Sequence, residues 1–241
     1  MKILTDTHTH TNCSDHAFST VAENLAMAKR RGLDLICMTD HAPAIPDAPH
    51  IWHFSTMHDL PKEVDGVRLL KGIEANVLDD EGHLDVPKSV QEGADMMIAS
   101  MHTPCYHSTS KEAHTAAWLN VIQNPYVTIL GHTGDQRFDF DHETVIAAAK
   151  KANKCIEINN HSFEARAGSR ENCRDIALIC KKLGTKIVVS SDAHNCYQIG
   201  IFDHAIAMLE EIDFPEELIM NVNGARFLAF LKEFHSREAA G

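Results

Sequence analysis

Lys2-Ile3-Leu4-Thr5-Asp6 runs directly into Thr7-His8-Thr9-His10, and this junction of a short apolar stretch with ligand-type side chains decides the fold, because it recurs along the chain. Apolar or β-branched runs stand at 2–6, 34–39, 67–73, 94–100, 126–131, 154–158 and 186–190, the composition expected of buried strands. Between them lie helical patterns at 20–31, 112–123, 141–152 and 171–183, with Gly32 and Gly184 closing two of them, and two more helices are expected at 201–211 and 223–235. Strands alternating with helices predict a parallel α/β sheet. Seven such units within 241 residues predict a closed TIM-like barrel, since a single (β/α) barrel has about 250 residues. An open doubly wound sheet is the alternative, but it would normally carry a glycine-rich phosphate loop after the first strand, and none is present. No linker, low-complexity segment or composition shift divides the chain, so one domain over 1–241 is expected.

Nearly every predicted strand ends at a potential metal ligand. The first runs into His8 and His10 with His16 beyond; the second ends at Asp40-His41 and the third at Glu74; the fourth ends at His102, the fifth at His132 and the seventh at Asp192-Ala193-His194. Only the sixth, ending at Glu157-Ile158-Asn159-Asn160, offers no obvious ligand. The carboxyl ends of barrel strands are where active sites of this architecture sit, so these side chains should converge although they are distant in sequence. His8 with His10, and Asp192 with His194, are also paired locally, because alternate residues of an extended segment project to the same side. The chain has 17 histidines. A lone histidine is most often a hydrogen-bonded core or surface residue, and that bland role is assigned to His50, His53, His58, His83, His107, His114, His142, His161, His204 and His235. The convergent set differs, because burying several imidazoles and carboxylates together without metal would leave polar groups poorly satisfied. Imidazole-rich, thiolate-free ligation suits zinc first, with manganese or iron as competitors. Its ligands exceed the needs of one tetrahedral zinc, so at least two ions are expected, and a third would use the remainder.

The net charge of -12 argues against binding along a long nucleic-acid backbone, although three divalent ions would add about six positive charges to one pocket and admit an anionic substrate. The seven cysteines are scattered, odd in number and without a Cys-x-x-Cys pair, as expected of reduced, mostly buried thiols in a cytoplasmic protein. Neither a signal peptide nor a membrane span is expected from the sequence.

Asp6-Thr7-His8-Thr9-His10, Thr39-Asp40-His41, Gly72-Ile73-Glu74-Ala75-Asn76 and Ser191-Asp192-Ala193-His194 resemble the PHP superfamily, named for polymerase and histidinol phosphatase. Asp47-Ala48-Pro49-His50-Ile51-Trp52-His53-Phe54, Glu157-Ile158-Asn159-Asn160 and Glu171-Asn172-Cys173-Arg174 are similar to its YcdX-type phosphatases. The resemblance implies a distorted seven-stranded (β/α)7 barrel with a trinuclear metal centre. By it, His8, His10, Glu74 and Asp192 hold one ion; Glu74 bridges to a second held by His102 and His132; His16, His41 and His194 hold the third. Thr133 departs from the proline common at that position in the family.

Such a site is expected to hydrolyse small phosphate monoesters with a metal-bridging hydroxide as nucleophile, with Glu74 and Asp192 in the catalytic centre. Arg166, in the loop after the sixth strand, is the candidate anchor for a phosphate group, ahead of Arg170, because a guanidinium matches phosphate oxygens in a fork. Asp6 and Asp40 are placed either to orient imidazoles or to hold strand ends. Trp52 and His53 belong to a loop expected to cover the barrel mouth, unless Trp52 packs that loop down. The competing functions are a phosphodiesterase or exonuclease on nucleic-acid ends, a histidinol-phosphate phosphatase and a non-catalytic metal-binding protein. A homo-oligomer is compatible with the sequence.

Overall fold

The computed structural model describes residues 1–238. Its elements, in chain order, are β1 (Thr5–Asp6), α1 (Val21–Arg30), β2 (Leu35–Met38), α2 (Trp52–Thr56), β3 (Glu63–Val64), β4 (Val67–Asn76), α3 (Lys88–Gln91), β5 (Met96–Ser100), α4 (Lys111–Val121), β6 (Ile129–Leu130), α5 (His142–Lys151), β7 (Cys155–Asn159), α6 (Ser162–Ala165), α7 (Ser169–Leu183), β8 (Ile187–Ser190), α8 (Asp203–Glu211) and α9 (Gly224–Glu238). Seven strands pair in parallel in the order β1-β2-β4-β5-β6-β7-β8. The eighth, β3, forms a hairpin with β4 through Asp65 and Gly66, both at positive φ, the geometry that two-residue hairpin turns require. The sequence pattern did not predict this hairpin; the β1 and β6 ladders are also shorter than the apolar runs that announce them.

The barrel is nearly closed. Between β8 and β1 there is no strand ladder among the described residues, only a bridge of Thr9 to Ala193, with His10 N donating to Ala193 O at 2.8 Å. The buried side chain of Asn221 fills the gap: its Nδ2 donates to Thr5 O and to Val189 O, and its Oδ1 accepts from Val189 N. An amide offers both donor and acceptor, so one side chain stands in for a missing piece of ladder.

Strand alternation sorts two cores. Leu35, Cys37, Leu70, Met96, Ile98, Ile129, Cys155 and Val188 cluster inside the barrel with Phe227, Phe230 and Leu231 of α9, which plugs one end. Their strand neighbours Ile36, Met38, Ile73, Met97, Ala99, Ile156, Ile158 and Val189 pack outward under the helices. The inward face therefore runs apolar to polar along each strand, as in Leu70 to Glu74, Cys155 to Glu157 and Val188 to Asp192, a consequence of the two-residue period. Gly131 is needed on this face because a Cβ there would lie 2.2 Å from Ser100 Oγ and 2.6 Å from Ile98 Cγ2. Helix ends follow their sequence signals: Thr20 and Glu23 form a capping box on α1, and Gly184 closes α7 in the left-handed conformation.

Candidate metal centre

Nine side chains predicted to converge do so at the carboxyl ends of the strands. Glu74, at 1 % exposure, stands at the centre. Its Oε1 lies 3.2 Å from His132 Nε2 and 3.4 Å from His102 Nε2. Its Oε2 lies 2.7 Å from His41 Nδ1, 3.4 Å from His8 Nε2 and 3.6 Å from His10 Nε2. Asp192 Oδ1 adds contacts of 3.1 Å to His10 Nε2 and 3.5 Å to His8 Nε2. Ligand atoms of His8, His10 and Glu74 lie within 4.8 Å of one another, as do those of His41, Glu74 and His102, and those of His10, His41 and His194. His16 completes the group, its Nε2 3.0 Å from that of His194.

Four imidazoles are oriented by acceptors behind them. Nδ1 of His8 meets Glu157 Oε1 at 2.7 Å, that of His16 meets Asp47 Oδ2 at 2.5 Å, that of His102 meets Asn76 Oδ1 at 2.7 Å, and that of His194 meets the Asp192 carbonyl at 2.9 Å. Carboxylate, amide and carbonyl oxygens only accept, so each Nδ1 is the donor and Nε2 is the atom left facing the cluster, ready to ligate once it carries no proton. The Asn76 orientation is fixed because its Nδ2 donates to Ala42 O and Asp85 Oδ2. Nε2 atoms face each other at 3.0 Å in His102–His132, where His132 can donate to His102 or to Glu74 Oε1, and at 3.0 Å in His16–His194, where both Nδ1 atoms are already committed as donors. In the neutral rings of the His16–His194 pair the opposed lone pairs repel, and a cation between them removes the repulsion. Buried atoms without hydrogen-bond partners include His8 Nε2, His10 Nδ1, His41 Nδ1 and Glu74 Oε2, the condition that ligation relieves. The donor set therefore fits divalent metal.

Electrostatics divides the site into acids held ionised and bases of both kinds. Burial raises Glu74 and Asp192, but the surrounding histidines outweigh it and hold both well below the usual carboxylate range. Burial lowers His102 to about 4 against the pull of Glu74, and burial with neighbouring His194 and His41 takes His10 well below the ordinary value. His8 and His41 are also pushed down by burial, yet their carboxylate neighbours prevail and both end above it. Two residues of the cluster have strained backbone, His132 at φ 26 and Asp192 at φ 51, conformations that cost free energy and concentrate at functional sites.

Above the cluster opens a cavity of about 600 Å³ lined by His16, His41, His102, His161, His194, Ile45, Pro46, Asp47, Arg137 and Arg166. Arg166 Nη1 donates to Ser162 Oγ at 2.9 Å and to Asp192 Oδ2 at 3.3 Å. Arg170 instead stacks over Phe163 at 5.7 Å and is not in the cavity wall.

A family model for the PHP domain matches residues 6–165. The chain belongs to the PHP domain family. Curated relatives match over the full length: a probable phosphatase of Caldanaerobacter subterraneus subsp. tengcongensis is 45 % identical, covering 100 % of this chain and 96 % of that protein. A probable phosphatase of Clostridium botulinum is 46 % identical over 96 % of each. Among solved structures, the histidinol phosphate phosphatase of Lactococcus lactis, complexed with zinc, L-histidinol and phosphate, has a TM-score of 0.61 at 17 % identity, covering 88 % of this chain and 94 % of that one, and so shares the fold.

Several residues of this PHP site were invisible or misjudged in the sequence. Glu157 bonds His8 as well as the backbone N of His132; its inward position follows from strand parity with Asn159, but it contributes an acceptor for an imidazole. His161, assigned a bland role, lines the cavity. Asp6 orients no imidazole: its carboxylate accepts from Ser191 N, Ser191 Oγ and Gly200 N, clasping β1 to the loop after β8. Asp40 bonds Thr11, Ser14 and His53, none of them in the cluster. Trp52 is 73 % exposed, edge-on to His50 and outside the cavity lining, so it neither covers the mouth nor packs the loop down. Among the described residues, no helix is long and apolar enough to cross a membrane.

Proposed function

We propose that this chain is a metal-dependent phosphatase acting on small phosphate monoesters. The observation that carries the proposal is the convergence of buried histidines on Glu74, whose two oxygens serve two different groups of them beneath one open cavity, with the Nε2 atoms of His16 and His194 opposed beside it. In this reading His8, His10, Glu74 and Asp192 hold one ion, Glu74, His102 and His132 a second, and His16, His41 and His194 a third, with zinc preferred over manganese or iron. Metal held there supplies a water-derived nucleophile at neutral pH and charge to stabilise the phosphoryl oxygens during displacement.

The protein's own groups do the rest. Glu157, Asp47 and Asn76 keep His8, His16 and His102 in the ligating tautomer. Arg166 presents its guanidinium from the cavity wall, where a phosphate group displaces its contact with Asp192 Oδ2 and receives a fork of N–H donors. Support also comes from the full-length relatives named as probable phosphatases. The cavity of about 600 Å³ suits a small ester, and the acidic chain offers no basic track for a polymer.

The test is elemental analysis of protein purified without added metal, together with p-nitrophenyl phosphate hydrolysis before and after chelation. Near three ions per chain with chelator-sensitive turnover supports the proposal. Bound metal without turnover on monoesters or diesters would favour a binding protein, and diester cleavage falling steeply with salt would favour a nuclease. Preferential hydrolysis of histidinol phosphate in a substrate panel would name the ester.

A further inference from the structure

Outside the nine-residue cluster lies a second convergence of ligand-type atoms: Cys13, Asp40 and His53, with one ligand atom of each within 4.8 Å of the others. His53 Nε2 and Asp40 Oδ2 are 3.2 Å apart. A tetrahedral zinc with the usual bond lengths, about 2.0–2.3 Å, spaces its ligand atoms about 3.3–3.8 Å apart, so the imidazole and carboxylate already stand near that separation. Cys13 is exposed, and rotation of its side chain can close the remaining distance without moving a packed group.

The local fold holds these groups for a reason the main cluster does not require. The turn at 11–14 is closed by Ser14 N donating to Thr11 O. Thr11 donates both N and Oγ1 to the Asp40 carboxylate, Ser14 Oγ adds a third bond, and Cys13 N donates back to Thr11 Oγ1. Asp40 is fully buried and every partner of its carboxylate belongs to this turn or to His53. The residue next to it, His41, faces Glu74 instead, so the chain reverses its allegiance within one residue. Three donors of different type, from the segment just after β2, from α2 and from the turn before His16, are thereby gathered together, with Cys13 on the exposed side and Asp40 beneath.

We infer that Cys13, Asp40 and His53 form a separate site for one thiophilic divalent cation of the zinc class, distinct from the histidine-rich cluster. As the metal binds, the Cys13 thiol releases its proton to solvent, and His53, whose Nε2–H donates to Asp40, carries its proton on Nδ1 instead so that Nε2 can ligate. Three protein ligands leave a fourth position for water, and the thiolate selects zinc, cobalt or cadmium over magnesium or calcium. An ion here ties α2 to the turn that leads into His16. The inference does not depend on the phosphatase proposal.

The thiolate makes the site spectroscopically separable, because the nine-residue cluster contains no sulfur. The full chain is expressed in cobalt-supplemented minimal medium so that it is loaded as it folds, and the near-ultraviolet thiolate-to-cobalt band is compared in wild type, Cys13→Ser and Cys105→Ser. Cys105 is the control because its backbone N bonds His102 O beside the main cluster. The expected result is a band in wild type and in Cys105→Ser but not in Cys13→Ser, which also carries one cobalt fewer per chain; His53→Ala weakens cobalt binding at this site about tenfold or more. Absence of the band in wild type, or its persistence in Cys13→Ser, overturns the inference. Independently, zinc should slow iodoacetamide labelling of Cys13 in the wild-type chain, read by mass spectrometry, and labelling at an unchanged rate would overturn it equally.

Discussion

Glu157→Gln is the most discriminating change at the centre, because it preserves shape and reverses one hydrogen-bond polarity. Oε1 of Glu157 accepts from His8 Nδ1 at 2.7 Å and Ser190 Oγ at 2.6 Å; Oε2 accepts from His132 N at 2.5 Å and Asn159 Nδ2 at 3.3 Å. All four partners donate, and a glutamine has only one oxygen. If its amide nitrogen takes the Oε2 position, the buried His132 N–H meets another donor, at a cost of about 1–3 kcal/mol. If it takes the Oε1 position, Ser190 can rotate to accept, but His8 must move its proton to Nε2, the atom facing Glu74 and Asp192. That orientation blocks ligation, and loss of such an outer partner lowers metal affinity about 10- to 100-fold, or roughly 1.4–2.7 kcal/mol. The variant must therefore lose stability, metal affinity or both. Urea unfolding of the metal-free protein reads the first, and competition against a chromophoric chelator reads the second. Wild-type values in both assays would refute the assignment of Glu157 as the group that sets the His8 tautomer.

Asn221→Ala should cost roughly 3 kcal/mol or more in urea unfolding, since it strands Thr5 O, Val189 O and Val189 N between β8 and β1; a loss under about 1 kcal/mol would show that the gap is closed by other means. Metal loading near neutral pH should release protons, because the carboxylates around His8 and His41 hold both above the ordinary histidine value, despite burial, in the metal-free protein. Lowering the pH therefore weakens metal binding, and calorimetric enthalpies that are identical in buffers of different ionisation heat would contradict this. Arg166→Lys should raise KM for a phosphate monoester about tenfold while sparing metal content, as the fork becomes a point charge; an unchanged KM would remove Arg166 from substrate binding. Asp85→Ala should weaken chelator-competed metal binding by about tenfold through Asn76, whose amide it holds against His102, and unaltered affinity would argue that Asn76 is fixed by Ala42 O alone.

Much of the site is legible in the sequence because barrel topology turns a sequence rule into a spatial one. A ligand at the carboxyl end of each strand must face the same mouth, so His8, His10, His41, Glu74, His102, His132 and Asp192 could be grouped from their places after apolar runs. The sixth strand offers no obvious ligand in the sequence, and its inward residue Glu157 indeed serves the cluster only as a hydrogen-bond acceptor. Glu157 has the right parity, but only its partners reveal that it serves His8 and His132. Whether Asp6 and Asp40 would turn toward imidazoles depended on loops contributed by residues 191–200 and 11–14, which no local pattern specifies. Trp52 stands exposed because the short α2 presents its other side, Phe54, to the core.

The sequence by itself determined the alternation of strands and helices, the residue types at the strand ends and hence the class of chemistry, since these depend on local period and side-chain identity. Tertiary structure decided the nearly closed seam held by Asn221, the tautomers of the imidazoles and the separate grouping of Cys13 with Asp40 and His53. Apart from His194, oriented by the carbonyl two residues before it, those features rest on hydrogen bonds or contacts between segments apart in the chain, and their partners are chosen by packing, which is fixed only when the whole barrel forms.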